Sequence, residues 1–378
     1  MRRFVLIAAI LLLAGCGNKM DLPVETEKGE IPFDGYYVYA SWGNVGVVTD
    51  ILVTQNQWIY LAEDSATVTR YKRKGANENG TIVARAITVL DGLEKPLFVD
   101  EGMEDHLFIL DIGESPAEVK LYDLFVEAFT VSWSDASWAL EDSTWKLPGR
   151  DSATVKRFQR DVDLTALAAD LEDNVLVAGR DFSFMTTVRR HFDTTFVEGT
   201  SQIDSLTVIG ADTSYSDSAE TWFVRKYDVD GDFLLEAVGD GTGLGYGREI
   251  ADLAVASDRL FYVDGATERV KLNDPGAPAA GIDWLTGLEI TDAAESFEYL
   301  LDPGGLAIDP LGNLYVSDSG NGRVLKYNSS LRYTERVDQN AMDLMTEPTA
   351  VAAADSLVYV YDRGGAGVVL FELPKAPE

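Results

Sequence analysis

The segment Pro303–Tyr327, PGGLAIDPLGNLYVSDSGNGRVLKY, fits three short strands and two tight reversals into a single stretch. Leu306-Ala307-Ile308 is apolar. Asp309-Pro310-Leu311-Gly312-Asn313 reverses the chain, because proline fixes φ and glycine tolerates left-handed backbone. Leu314–Asp318 reads as a second strand and Ser319–Gly322 as a second reversal. Arg323–Tyr327 interleaves polar and apolar positions as a third strand does. A sheet this small cannot bury both of its faces, so the unit needs neighbours.

The chain supplies them. Comparable units begin near Asp50 (DILVTQNQWIYLAEDSATVTRYK), Pro96 (PLFVDEGMEDHLFILDIGESPAEVKLY), Thr165 (TALAADLEDNVLVAGRD), Ile250 (IADLAVASDRLFYVDGATERVKLN) and Pro348 (PTAVAAADSLVYVYDRGGAGVVLFEL). No long amphipathic helical pattern separates them, which argues against folds with crossover helices. Small sheets repeated along a chain bury their faces best when stacked radially, and a ring leaves few exposed edges. The expected fold is therefore all-β: a β-propeller in a single domain, 35–378. Six blades is the preferred count. Seven or eight stay open, because Asp151–Val155 repeats Asp64–Val68 identically, and Thr187–Arg190 and Phe223–Tyr227 also look like third strands. After Leu373 too little chain remains for a fourth strand, so the strand-like run Tyr36–Trp42 is expected to complete the last blade and close the ring, against the entropy of a long loop.

Pro303–Tyr327, with its PxGLAxDxxGNxYVSDxxNxRVxxY character, resembles the NHL family of propellers, and the other five units resemble it more weakly. The likeness fades over Ala128–Arg160 and Phe182–Ala219, which are expected to be long insertions near 128–160 and 182–219. The resemblance implies a rigid disc with interaction roles. It does not extend to the NHL-like amidating lyases, whose zinc centre needs three histidines. This chain has only His106 and His191, both read as surface or strand-filling residues.

A second resemblance sits at the start. Arg2 and Arg3 precede a short apolar run from Phe4 to Ala14, too short for the roughly 20 apolar residues of a membrane-spanning helix. Leu13-Ala14-Gly15-Cys16 resembles the lipobox of bacterial lipoproteins. It implies that residues 1–15 are a signal peptide and that Cys16 is lipidated with fatty acids such as palmitate, binding the chain to a lipid bilayer. Residues 16–34 then form the lipidated N-terminus and tether. Gly17, in place of an aspartate, favours the outer membrane over the inner, with periplasmic and surface-exposed orientations both open. Cys16 is the sole cysteine, so intrachain disulfides, thiol catalysis in the folded part and cysteine metal sites fall away.

Composition narrows the partners. The formal net charge is −32, and loss of Arg2 and Arg3 with the leader makes it more negative. Such a chain is hostile to nucleic acid and to anionic lipid surfaces. The acidity serves solubility, cation attraction or a saline habitat. The expected partner, beyond the bilayer, is an envelope protein, peptide or glycan; the oligomeric state is not legible.

No catalytic or cofactor-binding residue stands out, and the metal ligands, if any, are not identified by spacing. The most regular polar feature is the residue ending each second strand, Glu63, Asp111, Asp264, Asp318 and Asp362, with Gly179 in the sixth unit. These carboxylates would either ring a cation or, the preferred reading, accept backbone N–H groups in nearby turns. Asp228-Val229-Asp230-Gly231-Asp232 lacks the glycine spacing of a calcium loop and reads as a hairpin turn. Gly239–Gly247 matches no phosphate-binding pattern and reads as a loop. Trp133, Trp138 and Trp145, with Trp42 and Trp58 elsewhere, suit either a binding platform or inter-blade packing. Thr194–Thr221, rich in Ser, Thr and Asp, reads as an exposed excursion. The leading expectation is an envelope-anchored binding propeller, not an enzyme. The alternative is similarity to calcium-dependent lactonases and hydrolases, whose metal lies on the propeller axis. Residues such as Glu63, Asn174 and Asp309 would serve there, and non-repeated acids or amides meeting in the central channel would favour it.

Overall fold

The computed structural model describes residues 35–373 apart from 44, 65, 73–87, 104, 114–115, 149–151, 197, 199–202, 242–245, 257–258, 275, 277–299, 339–343, 355 and 366. The leader, Cys16 and the 16–34 tether lie outside the described residues.

After β1 (Tyr37–Trp42), the strands fall into six sheets. Sheet I holds β2 (Val48–Val53), β3 (Ile59–Glu63), β4 (Thr67–Tyr71) and β5 (Thr88–Leu90). Sheet II holds β6 (Pro96–Glu101), β7 (His106–Asp111), β8 (Glu118–Asp123) and β9 (Ala128–Trp133). Sheet III holds β10 (Glu141–Pro148), β11 (Ser152–Ala169), β12 (Val175–Phe196), β13 (Ile203–Tyr227), β14 (Phe233–Asp240) and β15 (Tyr246–Gly247). Sheet IV holds β16 (Ile250–Ala256), β17 (Arg259–Asp264) and β18 (Arg269–Asn273). Sheet V holds β19 (Pro303–Ile308), β20 (Leu314–Asp318), β21 (Arg323–Tyr327) and β22 (Tyr333–Arg336). Sheet VI holds β23 (Pro348–Ala354), β24 (Leu357–Asp362) and β25 (Gly367–Glu372), with β1 added beyond β25. Consecutive strands pair antiparallel, except for a short parallel contact between β14 and β15. The innermost strands β2, β6, β11, β16, β19 and β23 each pack against the next, and β23 packs against β2. The molecule is an all-β propeller.

Two sequence habits produce this arrangement. Strands β3, β7, β17, β20 and β24, and the start of β12, carry unbroken apolar runs ahead of their final acid or glycine instead of alternating. Runs such as Ile59–Ala62, Leu107–Leu110 and Val175–Ala178 are fully buried, at 0% exposure. Neighbouring sheets cover both faces of each second strand, so both sets of side chains belong in the core. The hairpins share one turn. Thr54, Asp170, Asp228, Asp309 and Asn328 accept, through their carbonyls, the N–H of the residue three further on. Those residues, Gln57, Asp173, Gly231, Gly312 and Leu331, all have positive φ. The side chains of Asp170, Asp228, Asp309 and Asn328 also accept the N–H two and four residues on, the Asx-turn habit that lets a short polar residue open a reversal.

The run at Tyr36–Trp42 does complete the last sheet. In the β1–β25 pairing Tyr37 faces Glu372 and Trp42 faces Val368, with a bulge between Val38 and Ala40. Trp42 is 2% exposed and lies against Tyr71 of sheet I and Tyr359 of sheet VI, with ring centroids 5.5 and 6.0 Å away.

The stretches that lose the repeat pattern are strands. Ala128–Trp133 is the fourth strand of sheet II, whereas the described parts of the remaining stretches, in β10, β11, β12 and β13, belong to sheet III. There β11, β12 and β13 run for 18, 22 and 25 residues and extend past the ring as an arm. Val155 lies opposite Val188 and Thr154 opposite Arg189, so the two third-strand look-alikes are adjacent strands of this arm and not further units. Phe223–Tyr227 is the third strand of sheet III itself. The exposed excursion expected at Thr194–Thr221 is built of strand where it is described, since β13 pairs with β12 there. Residues 211–214 and 219–221 are exposed, and a strand in water can carry Ser, Thr and Asp, a composition that imitates a loop.

The hairpins joining first to second and third to fourth strands lie together on one face of the disc, here the turn face. Asn56 Nδ2 donates to Asp105 at 3.2 Å, His106 meets Asp173 at 2.8 Å, and Arg259 Nη1 donates to the Ser329 carbonyl at 2.9 Å. Strand β12 leaves the Asp170 turn on that face, so the arm projects from the opposite one. Residues 180–196 at ~3.3 Å each carry it on the order of 50 Å beyond the ring.

Candidate functional site

Among the described residues, the inner edges of the innermost strands have no strand partner, and their N–H groups need acceptors. Three carboxylates supply them. Asp50 Oδ2 accepts from Val99 of β6 at 2.9 Å, Asp100 Oδ2 from Ala169 of β11 at 2.8 Å, and Asp252 Oδ2 from Leu306 of β19 at 2.6 Å. The Oδ1 atom of each accepts the N–H of its own following residue at 2.8 Å. Each aspartate thereby ties its strand to the next one around the axis.

Asp50 and Asp252 hold matching places in sheets I and IV, each just before the residue that lies opposite the position two ahead of the second strand's end, but most sheets lack these acids. Asp50 lies opposite Ala62, one residue before the end of its second strand; the same place is held by Phe98, Ala166 and Ala350 in other sheets. Asp100 lies opposite Phe108, where the other sheets place Leu52, Ala168, Ala254, Ala307 and Ala352.

Their protons are loosely poised. Enclosure by the ring pushes the Asp50 carboxyl up to about 7, with the Asp100 charge adding to the rise and the Val99 and Ile51 N–H groups opposing it. Burial raises Asp100 to about 6 and Glu101 to about 7. Asp252 is 7% exposed, and burial holds it well above the usual carboxylate range, with the fields of Asp50 and Asp100 contributing. Asp50 and Asp100 keep partial exposure to solvent. Chemically Asp50 and Asp100 can accept protons near neutrality, and the trio together can attract a cation. Among the described residues, no group of three His, Cys, Asp or Glu is spaced to hold a metal ion as it stands.

The acids ending the second strands have a different task. Asp111 accepts from Glu94, Lys95 and Gly113 N–H groups at 2.9, 2.7 and 3.3 Å and from Lys120 Nζ at 2.7 Å. Burial pushes its carboxyl up, but Lys120 and those N–H groups outweigh it and hold it low. Asp318 binds Leu301 N–H, Asn321 and Arg323, and Asp362 binds the N–H groups of Thr346 and Glu347. Asp264 caps Thr267 and pairs with buried Lys271. These acids staple the incoming loop to the end of the second strand. Much of their bonding reaches back to the loop before the first strand, and not only to the turn that follows.

Other sequence candidates disperse. Asn174 and Asp309 are turn residues: Asn174 donates to Asp170, while Asp309 accepts from Asn313 and Tyr315. Both lie on the turn face, whereas Glu63 ends a second strand on the arm face, so these three do not converge. Asp228–Asp232 is one of the five shared turns. Of Gly239–Gly247, residues 242–245 lie outside the described set, and Tyr246 gives its carbonyl to Lys271 at 2.9 Å. His106 sits with Asp173 on the turn face, and His191 with Asp212 on the arm at 2.6 Å. Trp133 and Trp138 are packing residues: they lie 5.0 and 5.6 Å from Tyr227 in the core between sheets II and III, with Trp138 2% exposed. Trp58 lies under the Arg70 guanidinium at 4.9 Å. The side chain of Trp145 lies outside the described set.

Sequence reasoning passed over Asp50, Asp100 and Asp252. The signal was present: each is an acid inside a short apolar first strand, where Leu306-Ala307-Ile308 has none.

Among family models, the NHL repeat matches residues 300–327. No curated protein matches the chain. Solved structures with a similar course include a luciferin-regenerating enzyme, at 12% identity and TM-score 0.49, covering 90% of this chain and 95% of that one. A streptogramin B lyase aligns at 11% identity and TM-score 0.46 over 90% of this chain and 88% of that one. A virginiamycin B lyase from Staphylococcus aureus aligns at 9% identity and TM-score 0.45 over 90% of this chain and 100% of that one. Likeness at this level says nothing about activity. The chain is an all-β propeller carrying an NHL repeat.

Proposed function

We propose that this protein is a six-bladed binding propeller anchored in the bacterial cell envelope. In this reading residues 1–15 direct export, Cys16 carries the lipid, 16–34 form the tether and the outer membrane is the destination. The disc recognises a protein, peptide or glycan partner. The observation that carries the binding role is the arm of sheet III. Its outer strands add nothing to the ring's core, and among the described residues no strand pairs with β13 on the side away from β12 between Ile203 and Phe223. A long free edge is a template for an added strand and is usually blunted unless it has a use.

Replacing Ser183–Ala219 by an Asn-Gly turn closes β12 onto β13 just inside the Phe182–Glu220 pair. Photo-crosslinkers at Thr213 and Asp212 in the unaltered protein should trap an envelope partner, and the trimmed protein should lose that partner while unfolding at nearly the same temperature. Absence of any arm-borne crosslink in intact cells would remove this reading.

One observation favours a second reading, the calcium-dependent hydrolase. Carboxylates that most sheets lack lie within electrostatic reach of one another near the axis, with the fields of Asp50 and Asp100 felt at Asp252. Calorimetric titration with calcium, with melting temperature as second readout, decides it. One tight site that disappears in Asp50→Asn and Asp252→Asn supports an axial metal. No stoichiometric binding leaves the trio as struts.

A further inference from the structure

We propose that the turn face is the membrane-facing surface, with the hairpin tips of sheets II and III seated in the headgroup layer of a zwitterionic bilayer. The inference rests on the reading of Cys16 as a lipidated anchor. It goes further by fixing which way the disc lies.

The first argument is where the tether joins. Tyr37 pairs with Glu372 and donates from its hydroxyl to that carboxylate at 3.0 Å; Leu373 N–H donates to the Ser356 carbonyl in a first-to-second strand turn at 2.8 Å. Tyr36 meets the Tyr315 hydroxyl at 2.9 Å, and Tyr315 donates to Asp309, the opening residue of another such turn, at 3.1 Å. The chain therefore enters on the turn face, at the junction of sheets V and VI. The link between Cys16 and Tyr36 spans at most about 70 Å at ~3.6 Å per residue. The face on which it joins is the face that meets the bilayer without the link passing around the rim.

The second argument is independent. On that same face, on the far side of the ring, six large apolar side chains stand in water: Met103 at 48% exposure, Phe125 at 89%, Val126 at 59%, Leu171 at 61%, Phe233 at 55% and Leu234 at 47%. The turns that bear them adjoin one another. Met103 N–H donates to Asp173 at 2.5 Å, Leu124 N–H to the Asp105 carbonyl at 2.7 Å, and Lys226 pairs with Asp170 at 2.9 Å. Leu311, at 75% exposure, occupies the turn opened by Asp309, near where the chain enters at Tyr36. Reversals are built by their Asp and Gly residues and need no apolar residue at the tip. An exposed contiguous apolar patch marks an interaction surface. Anchor and patch on opposite edges of one face would lay the disc flat and point the arm away from the membrane.

Charge chooses the lipid. Asp105, Asp123, Asp170, Asp228, Asp230 and Asp232 surround the patch, so anionic headgroups are repelled and zwitterionic ones, with an outward cationic group, are tolerated.

Cys16 is the only cysteine and its thiol carries the lipid in this reading, so an introduced cysteine gives a unique label. The full chain, with its natural N-terminus, is reconstituted into phosphatidylcholine vesicles as Phe125→Cys, Leu171→Cys and Thr213→Cys, each bearing an environment-sensitive fluorophore. Brominated lipid should quench the labels at 125 and 171 several-fold more than the label at 213. Adding anionic lipid should weaken that quenching. Quenching strongest at 213, or equal and weak at all three sites, would overturn the proposal and return the patch to a protein partner. Uptake of the fluorophore by the unsubstituted protein would instead show a free Cys16 thiol, and so the failure of the anchor reading, separately from the result at the tips.

Discussion

Asp50 illustrates how one residue type takes opposite roles in the same ring. At the ends of the second strands, aspartates are flooded with N–H groups and cations; on the axis they face one another. The sign of their effect on stability follows. A carboxyl whose pKa is raised to about 7 in the folded ring, from an unfolded value near 3.9, binds more protons folded than unfolded between those limits. The stabilisation is complete below pH ~4 and is lost as pH rises through about 7. Urea unfolding should therefore show Asp50 favouring the fold more at pH 5 than at pH 8. Asp50→Asn should narrow that difference, at the cost of an acceptor for Val99 or Ile51 worth about 1 kcal/mol. A bound axial cation would reverse the slope. Elsewhere, Lys271 at 1% exposure and Asp264 at 0% form a buried pair. Lys271→Met, which leaves the carboxylate buried without its ammonium partner, should cost about 3–5 kcal/mol in urea unfolding, and adding Asp264→Leu should recover much of it.

At the scale of the element, the shared turn makes two glycines unequal. Gly312 has φ +79 with nothing closer than 3.4 Å to a Cβ placed there, so Gly312→Ala bears the backbone strain alone. Gly231 has φ +86 and a Cβ there would sit 2.6 Å from the Trp133 indole, so Gly231→Ala must also disturb the packing of sheets II and III. We expect a loss of about 1 kcal/mol for the first and about 2–4 kcal/mol for the second, read from thermal unfolding. These turns also show what was legible beforehand. Asp309–Asn313 and Asp228–Asp232 announced reversals because Asp, Pro and Gly each restrict the backbone locally. The second strands announced themselves by unbroken apolar runs, and the closing strand by its place before the first unit. The arm did not, because strands without a core to face lose the apolar signal that marks a strand. The axial trio was hidden for another reason: its members come from three sheets at two levels, and no single unit contains more than one. Only the ring brings them together.

For the whole molecule, the arm and the disc divide the work. Contacts that close the ring are made by inner strands and by Trp42, while the arm hangs from sheet III by the continuation of β11, β12 and β13. Trimming it at Ser183–Ala219 should shift the melting temperature by only a few degrees, whereas Trp42→Ala should cost about 3–5 kcal/mol by opening a cavity between sheets VI and I. The same closure has a mechanical side. Any pull on residues before Tyr36 enters the propeller along β1, at the Tyr37 end, and is borne at once by every rung from Tyr37–Glu372 to Trp42–Val368. A strand loaded along its length shears its rungs together, instead of peeling them one after another. The joint most exposed to drag is thus loaded in its strongest direction, and the two strands that share the load lie more than 300 residues apart in the chain.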